Sequence, residues 1–114
     1  MQFKREMADL IFQVDELGKP LKWQTRRLGP AKYKVGSRQP VQCGYRDKAR
    51  GHIIIDVVRK QILAHMTEGE VEAEGKGYFT SFFHYSKYLD KINNQHVDWT
   101  STVTVYEFHS EVTQ

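Results

Sequence analysis

The sequence predicts an α+β, mainly β fold: a mixed, mostly antiparallel barrel of about five or six strands with helices covering its ends. Three observations predict it. An amphipathic helical stretch opens the chain; extended segments punctuated by Gly and Pro follow it, culminating in the β-branched run HIIIDVV at 52–58; helical patterning returns only afterwards, before one last strand-like run. There is no βαβ rhythm, no internal repeat and no low-complexity linker. At 114 residues the chain has the usual size of one domain, so a single unit over 1–114 is expected.

Each element has its own signal. Phe3, Met7, Leu10, Ile11 and Val14 form one helical stripe, which predicts a helix from about Lys4 to Val14, ended by Gly18 and Pro20. Residues 21–28, LKWQTRRL, read as a strand that begins irregularly after Pro20 and breaks at Gly29-Pro30. Tyr33 and Val35 suggest a short extended piece stopped by Gly36. Residues 38–43 read as a strand, with Pro40 pointing to an edge or a bulge. GYRDKAR at 44–50 is a basic turn. The run at 52–58, which can continue towards Leu63, is expected to be buried on both faces, or at least to hold a central position. Thr67 and Glu70 have capping-box spacing, so a short helix should follow and end near Gly75. Phe79, Phe82, Phe83, Ser86 and Leu89 predict a second helical stripe, stopped by Asn93-Asn94. TVTVYEF at 102–108 is the closing strand.

Composition narrows the function. No apolar run approaches the ~20 residues needed to span a bilayer, and the N-terminus lacks the apolar core of a signal peptide, so a cytoplasmic location is expected and no membrane partner. Cys43 is the single cysteine; it closes no internal disulfide and reads as a small packing residue. The five histidines form neither an HxxxH pair nor a Cys/His cluster, so no metal and no other cofactor is expected. The glycine patterns that cradle phosphates are missing. A net charge of +3 permits a phosphate-rich partner without demanding one.

Three sets of residues could carry chemistry. The run KWQTRR places Lys22, Thr25, Arg26 and Arg27 together. A lysine amine with a lowered pKa can take the proton of a threonine hydroxyl. A regular strand puts positions 22 and 25 on opposite faces, so cooperation needs irregular backbone between them; otherwise the run is a solvated basic strand. Glu74 closes the short helix, where a carboxylate either orients a lysine and exchanges protons or simply faces water. The third set is Lys32, Lys34, Arg38, Arg46, Lys48 and Arg50, interleaved with Tyr33 and Tyr45: either a phosphate-holding, base-stacking surface or a charged solvent face. The aromatic stretch Tyr78 to Tyr88 reads as a helix packed on the barrel, and Trp23 and Trp99 are open between core and pocket wall.

These segments resemble a known family. Lys22-Trp23-Gln24-Thr25-Arg26-Arg27 resembles the K-T-x-T-x-R signature of ASCH domains, placed after an amphipathic helix and a Gly18-Lys19 turn. YKVG at 33–36, VQCG at 41–44, KARGHIIIDVVR at 48–59, MTEGEVEAEG at 66–75 and the aromatic helix from Phe79 to Leu89 follow in the family's order, over residues 3–108. The resemblance implies a PUA-like pseudobarrel with a cleft beside the K-x-x-T segment that binds RNA or modified nucleosides. One bacterial branch consists of small amidohydrolases acting on N(4)-acetylcytidine. By that resemblance Lys22 would be the base, Thr25 the nucleophile and Glu74 the orienting or proton-shuttling acid, with Arg27 facing the cleft. The chain departs from the family at Trp23, which replaces the first Thr, and at Pro20-Leu21, a small insertion. Arg26-Arg27 and the 44–50 loop are more similar to the larger ASCH group common in phages and prophages.

Three functions follow as expectations. The first is binding of RNA or a modified nucleoside, with Trp23, Arg26, Arg27, Tyr45, Arg46, Lys48 and Arg50 as contacts. The second is deacetylation of N(4)-acetylcytidine by Lys22, Thr25 and Glu74. The third is a non-catalytic phage-type protein that binds a host protein.

Overall fold

The computed structural model describes residues 1–111. Along the chain run α1 (Arg5–Phe12), β1 (Gln24–Arg27), β2 (Arg38–Pro40), β3 (His52–Ile62), a 3-10 turn (Leu63–His65), α2 (Glu68–Glu74), α3 (Phe82–Asn93) and β4 (Thr102–Ser110). The strands form one curled antiparallel sheet, a half-barrel, in the order β1-β4-β3-β2. An isolated parallel bridge, Gln2 to Gln42, and an antiparallel one, Val14 to Pro20, extend the pairing beyond it.

The sheet has four strands among the described residues, fewer than the five or six expected. Two expected extended pieces found other partners. The backbone at 21–23 bonds to the end of α2, through Trp23 N–H to Ala73 O and Lys76 N–H to Leu21 O, so a strand forms only from Gln24 onward. Tyr33 packs edge-on against Tyr106 in a loop that turns at Gly36, whose φ of +84° favours glycine.

β4, the last strand in sequence, lies between β1 and β3, and Val103 to Tyr106 are buried on both faces. β3 holds the central position expected of it, but not its double burial. Ile53 and Ile55 are buried, then a bulge between Ile55 and Val57 lets Asp56 and Val57 face outward. Pro40 sits on the edge strand β2, where its missing N–H breaks no ladder.

The helices cover the sheet with the faces their periodicity selects. α1 buries Met7, Ala8 and Ile11 and ends two residues before Val14, which is exposed. At α2 the capping box forms as expected, with Thr67 Oγ1 accepting from the Glu70 N–H and the Glu70 carboxylate accepting from the Thr67 N–H. Gly75 follows α2 because a Cβ there would stand 3.1 Å from the Phe79 ring and 3.2 Å from Leu10. α3 starts later than the stripe suggested, since Ser81 caps it. That start turns Tyr85, Ser86 and Leu89 inward and leaves Phe83 outside.

Candidate functional site

α2 brings the site together. Glu70 and Glu74 are one helical turn apart, so both carboxylates emerge on one face. The two backbone bonds that tie residues 21–23 to the end of α2 set Lys22 beside Glu74. Lys22 Nζ donates to Glu74 Oε1 at 2.9 Å, to the Glu74 carbonyl at 3.0 Å and to the Gln24 carbonyl at 2.7 Å. Three acceptors match the three protons of an ammonium group. A helix C-terminus also favours a cation. Burial pulls the Lys22 amine below the usual lysine range, and the Glu74 carboxylate pushes back.

Arg26 ties the second oxygen. Its Nη1 donates to Glu74 Oε2 and to Gln24 Oε1, each at 3.0 Å, its Nε to Gln61 Oε1 at 3.0 Å, and its Nη2 to Glu70 Oε2 at 2.6 Å. Glu70 accepts also from Arg59 at 2.5 Å and from Gln61. Partial burial works against its ionisation, but Arg59, the Thr67 N–H, Gln61 and Arg26 outweigh that and hold its carboxyl at about 2. Lys22, Arg26 and Glu74 are each about 2 % exposed. Such a knot must be fully bonded to be tolerated, and among the described residues no buried side-chain polar atom lacks a partner.

The knot forms one wall of a cavity of ≈ 270 Å³. Thr25 and Arg27 of β1 line it, with Phe3 from the N-terminal segment and Tyr85 and Tyr88 from α3. Arg27 Nε donates to Thr25 Oγ1 at 3.2 Å and its Nη2 to the Gln2 carbonyl at 2.7 Å, and its guanidinium lies 4.8 Å over the Phe3 ring. No carboxylate pairs with Arg27 among the described residues. Burial lowers its pKa from the usual arginine value, though the group stays charged. Burial first, and then the Glu74 charge, raises the Tyr85 phenol well above its usual value. The cavity thus offers a guanidinium with no carboxylate in salt-bridge contact among the described residues and a phenol that stays protonated.

Lys22, Thr25, Arg26, Arg27 and Glu74 therefore meet at one cavity. No hydrogen bond joins Lys22 to Thr25: the lysine protons go to Glu74 and Gln24, and the threonine hydroxyl accepts from Arg27. Trp23 is half-buried and outside the cavity lining. Tyr45, Arg46, Lys48 and Arg50 are exposed on the loop after Cys43, which borders both the cavity and a shallow depression beside Lys48 and Arg50. Arg50 pairs with Asp9. Of the remaining basic set, Lys32 and Lys34 are exposed and Arg38 pairs with Glu111.

Sequence reasoning missed Gln24, Gln61 and Glu70 as partners of the knot and Tyr85 and Tyr88 as cavity walls. The i, i+4 spacing of Glu70 and Glu74 was the available signal for Glu70; Gln24 and Gln61 carried none. Recognising Ser81 as the cap of α3 gives the register that turns Tyr85 inward.

No family model matches the chain, and no curated protein matches it in sequence. Among solved structures it is similar to the crystal structure of an ASCH domain from Lactobacillus crispatus, with a TM-score of 0.64 and 19% identity over 91% of this chain and 69% of that one. The four-stranded half-barrel with its three helices has the fold of that ASCH domain. Among the described residues no helix is long and apolar enough to cross a membrane.

Proposed function

We propose that the protein binds a nucleoside, or an unpaired nucleotide of RNA, in the cavity beside Lys22–Arg27. The observation that carries this reading is Arg27: a guanidinium without a carboxylate partner among the described residues, facing a cavity walled by Tyr85 and Tyr88. A volume of ≈ 270 Å³ lies at the small end of ligand pockets and suits a base with part of its ribose rather than folded RNA. Calorimetric titration with uridine, cytidine and N(4)-acetylcytidine tests it. Binding should weaken at least about tenfold in Arg27→Gln, the loss of a hydrogen bond to a charged group. No binding of any of the three to the folded wild-type protein overturns the reading.

A second reading is deacetylation of N(4)-acetylcytidine, favoured by the contact of Lys22 Nζ with Glu74 Oε1 at 2.9 Å in the cavity that Thr25 also lines. In that reaction the C–N amide bond breaks, water supplies hydroxyl to the acyl carbon, and a proton reaches the departing exocyclic amine, giving cytidine and acetate. Thr25 either attacks first or orients the water. For Lys22 to act as base it must release a proton and turn from the Gln24 carbonyl towards Thr25, a rearrangement that binding alone does not require. Incubating the wild-type protein with N(4)-acetylcytidine decides it: cytidine release that Thr25→Val abolishes supports catalysis, and no release by the folded protein excludes it.

A further inference from the structure

The geometry points to the open backbone edge of β1, at Arg26, as a reader of the Watson–Crick edge of an unpaired base; this rests on the nucleoside reading above. β1 is the outer strand of the sheet, with β4 on one side only. In an antiparallel pair, alternate residues turn their N–H and C=O towards the neighbour and away from it. The Phe108 N–H donates to the Trp23 carbonyl, and the register pairs Thr25 with Tyr106 and Arg27 with Thr104. The Trp23 carbonyl and the backbone groups of Thr25 and Arg27 therefore face β4, and Gln24 and Arg26 turn their backbone groups outward.

The Gln24 carbonyl confirms this orientation, since it accepts from Lys22 Nζ at 2.7 Å on the outer side. The outward N–H and C=O of Arg26 have no hydrogen-bond partner among the described residues. Arg26 is only 2 % exposed, so this pair is sheltered from bulk water, where unmade hydrogen bonds are expensive.

The edge runs along the cavity. Successive side chains of a strand point to opposite faces, yet Thr25, Arg26, Arg27 and Leu28 all line the same cavity. A space touched by three consecutive residues of β1, and by Leu28 just beyond it, is reached from both faces of the strand and so lies along its edge.

The N–H and C=O of one outward-facing residue bond a partner that presents an acceptor beside a donor. The Watson–Crick edge of uracil has this arrangement, in a carbonyl next to N3–H. An extended peptide strand has it too, and exposed edges do recruit strands. The cavity walls favour the base: the rings of Phe3 and Tyr85 line the same cavity as Arg26, and the volume is ≈ 270 Å³. A base already paired in a duplex has no free Watson–Crick edge to offer, so the site would select single-stranded RNA.

The 114-residue protein labelled with ¹⁵N-arginine, titrated with uridine and then with 3-methyluridine, tests the assignment. Uridine should shift the Arg26 backbone amide and the Arg27 Nε–H signals together. 3-Methyluridine, whose methyl replaces the N3 proton, should bind at least about tenfold more weakly. Shifts at Arg27 without a shift at Arg26, with both nucleosides binding equally, overturn the edge assignment and leave the cavity reading standing. No shift at either arginine overturns both. A Val-Thr-Val-Thr peptide that moves the Arg26 amide where uridine does not makes the edge a strand-pairing site and also overturns the proposal.

Discussion

Two short basic runs of this protein have opposite fates. KWQTRR at 22–27 and GYRDKAR at 44–50 carry three cations each. In the first, Lys22 and Arg26 are buried and bonded to Glu74 and Glu70 of α2, and Arg27 lines the cavity. In the second, Arg46 and Lys48 are exposed and Arg50 pairs at the surface with Asp9 and touches Cys43 Sγ. The difference arises from neighbours distant in sequence. Carboxylates delivered by α2, together with the Gln24 and Gln61 amides, satisfy the first run's donors, and without them its burial would be prohibitive. The cations of the second run stay exposed, so they keep much of their hydration.

The sharpest way to break this contrast is at Glu74. Replacing it with Ala strands two buried cations, so the urea midpoint should fall by an amount equivalent to roughly 3–5 kcal/mol, a large part of a domain's stability. Glu74→Gln keeps the shape and one acceptor, and should lose less. A midpoint unchanged in Glu74→Ala would mean that the knot is not formed in solution.

Acid probes the same knot through Glu70. Its folded pKa of about 2 lies below the ordinary 4.5, so the stability it contributes is present above about pH 5 and is lost as pH falls towards 2. The contribution is at most about 3 kcal/mol. Urea midpoints measured from pH 6 to pH 2.5 should decline, and Glu70→Gln should flatten that decline, although it starts lower because the capping box and two arginine contacts are weakened. An unchanged slope in the variant would show that other carboxylates govern acid unfolding.

The smallest stability effect is expected in the loop. Arg46→Ala with Lys48→Ala should leave the urea midpoint where it was, since both side chains are exposed. If single-stranded RNA leaving the cavity runs over this loop, the double variant should bind a short oligonucleotide more weakly. Its log–log salt dependence should be shallower by about 0.7 for each phosphate contact removed. An unchanged salt slope would confine recognition to the cavity.

Much of the fold was legible because it depends on local pattern. Thr67 and Glu70 mark the start of α2 by hydrogen-bonding chemistry within one turn, and the structure has that capping box. Asn94, at φ 53°, ends α3 in the left-handed conformation that asparagine tolerates. Pro40 signals an edge strand because it has no N–H to donate. Phe83 was misplaced because Phe79, counted in the stripe, lies before the Ser81 cap and outside α3; without it the buried face centres on Tyr85, Ser86 and Leu89 and leaves Phe83 at its margin.

By itself, then, the sequence determined the turns, the caps, the apolar stripes and the strand runs, since each depends on residues within a few positions of one another. It also marked Lys22, Thr25 and Glu74 as chemically capable. Only the tertiary structure decided that β4 lies at the centre of the sheet, that Glu70 and Glu74 reach Arg26 and Lys22 across some fifty residues of chain, and that Thr25, Arg26 and Arg27 line one cavity with Tyr85 and Tyr88. Those outcomes are set by which surfaces meet when the core is buried, a long-range choice that no local pattern encodes.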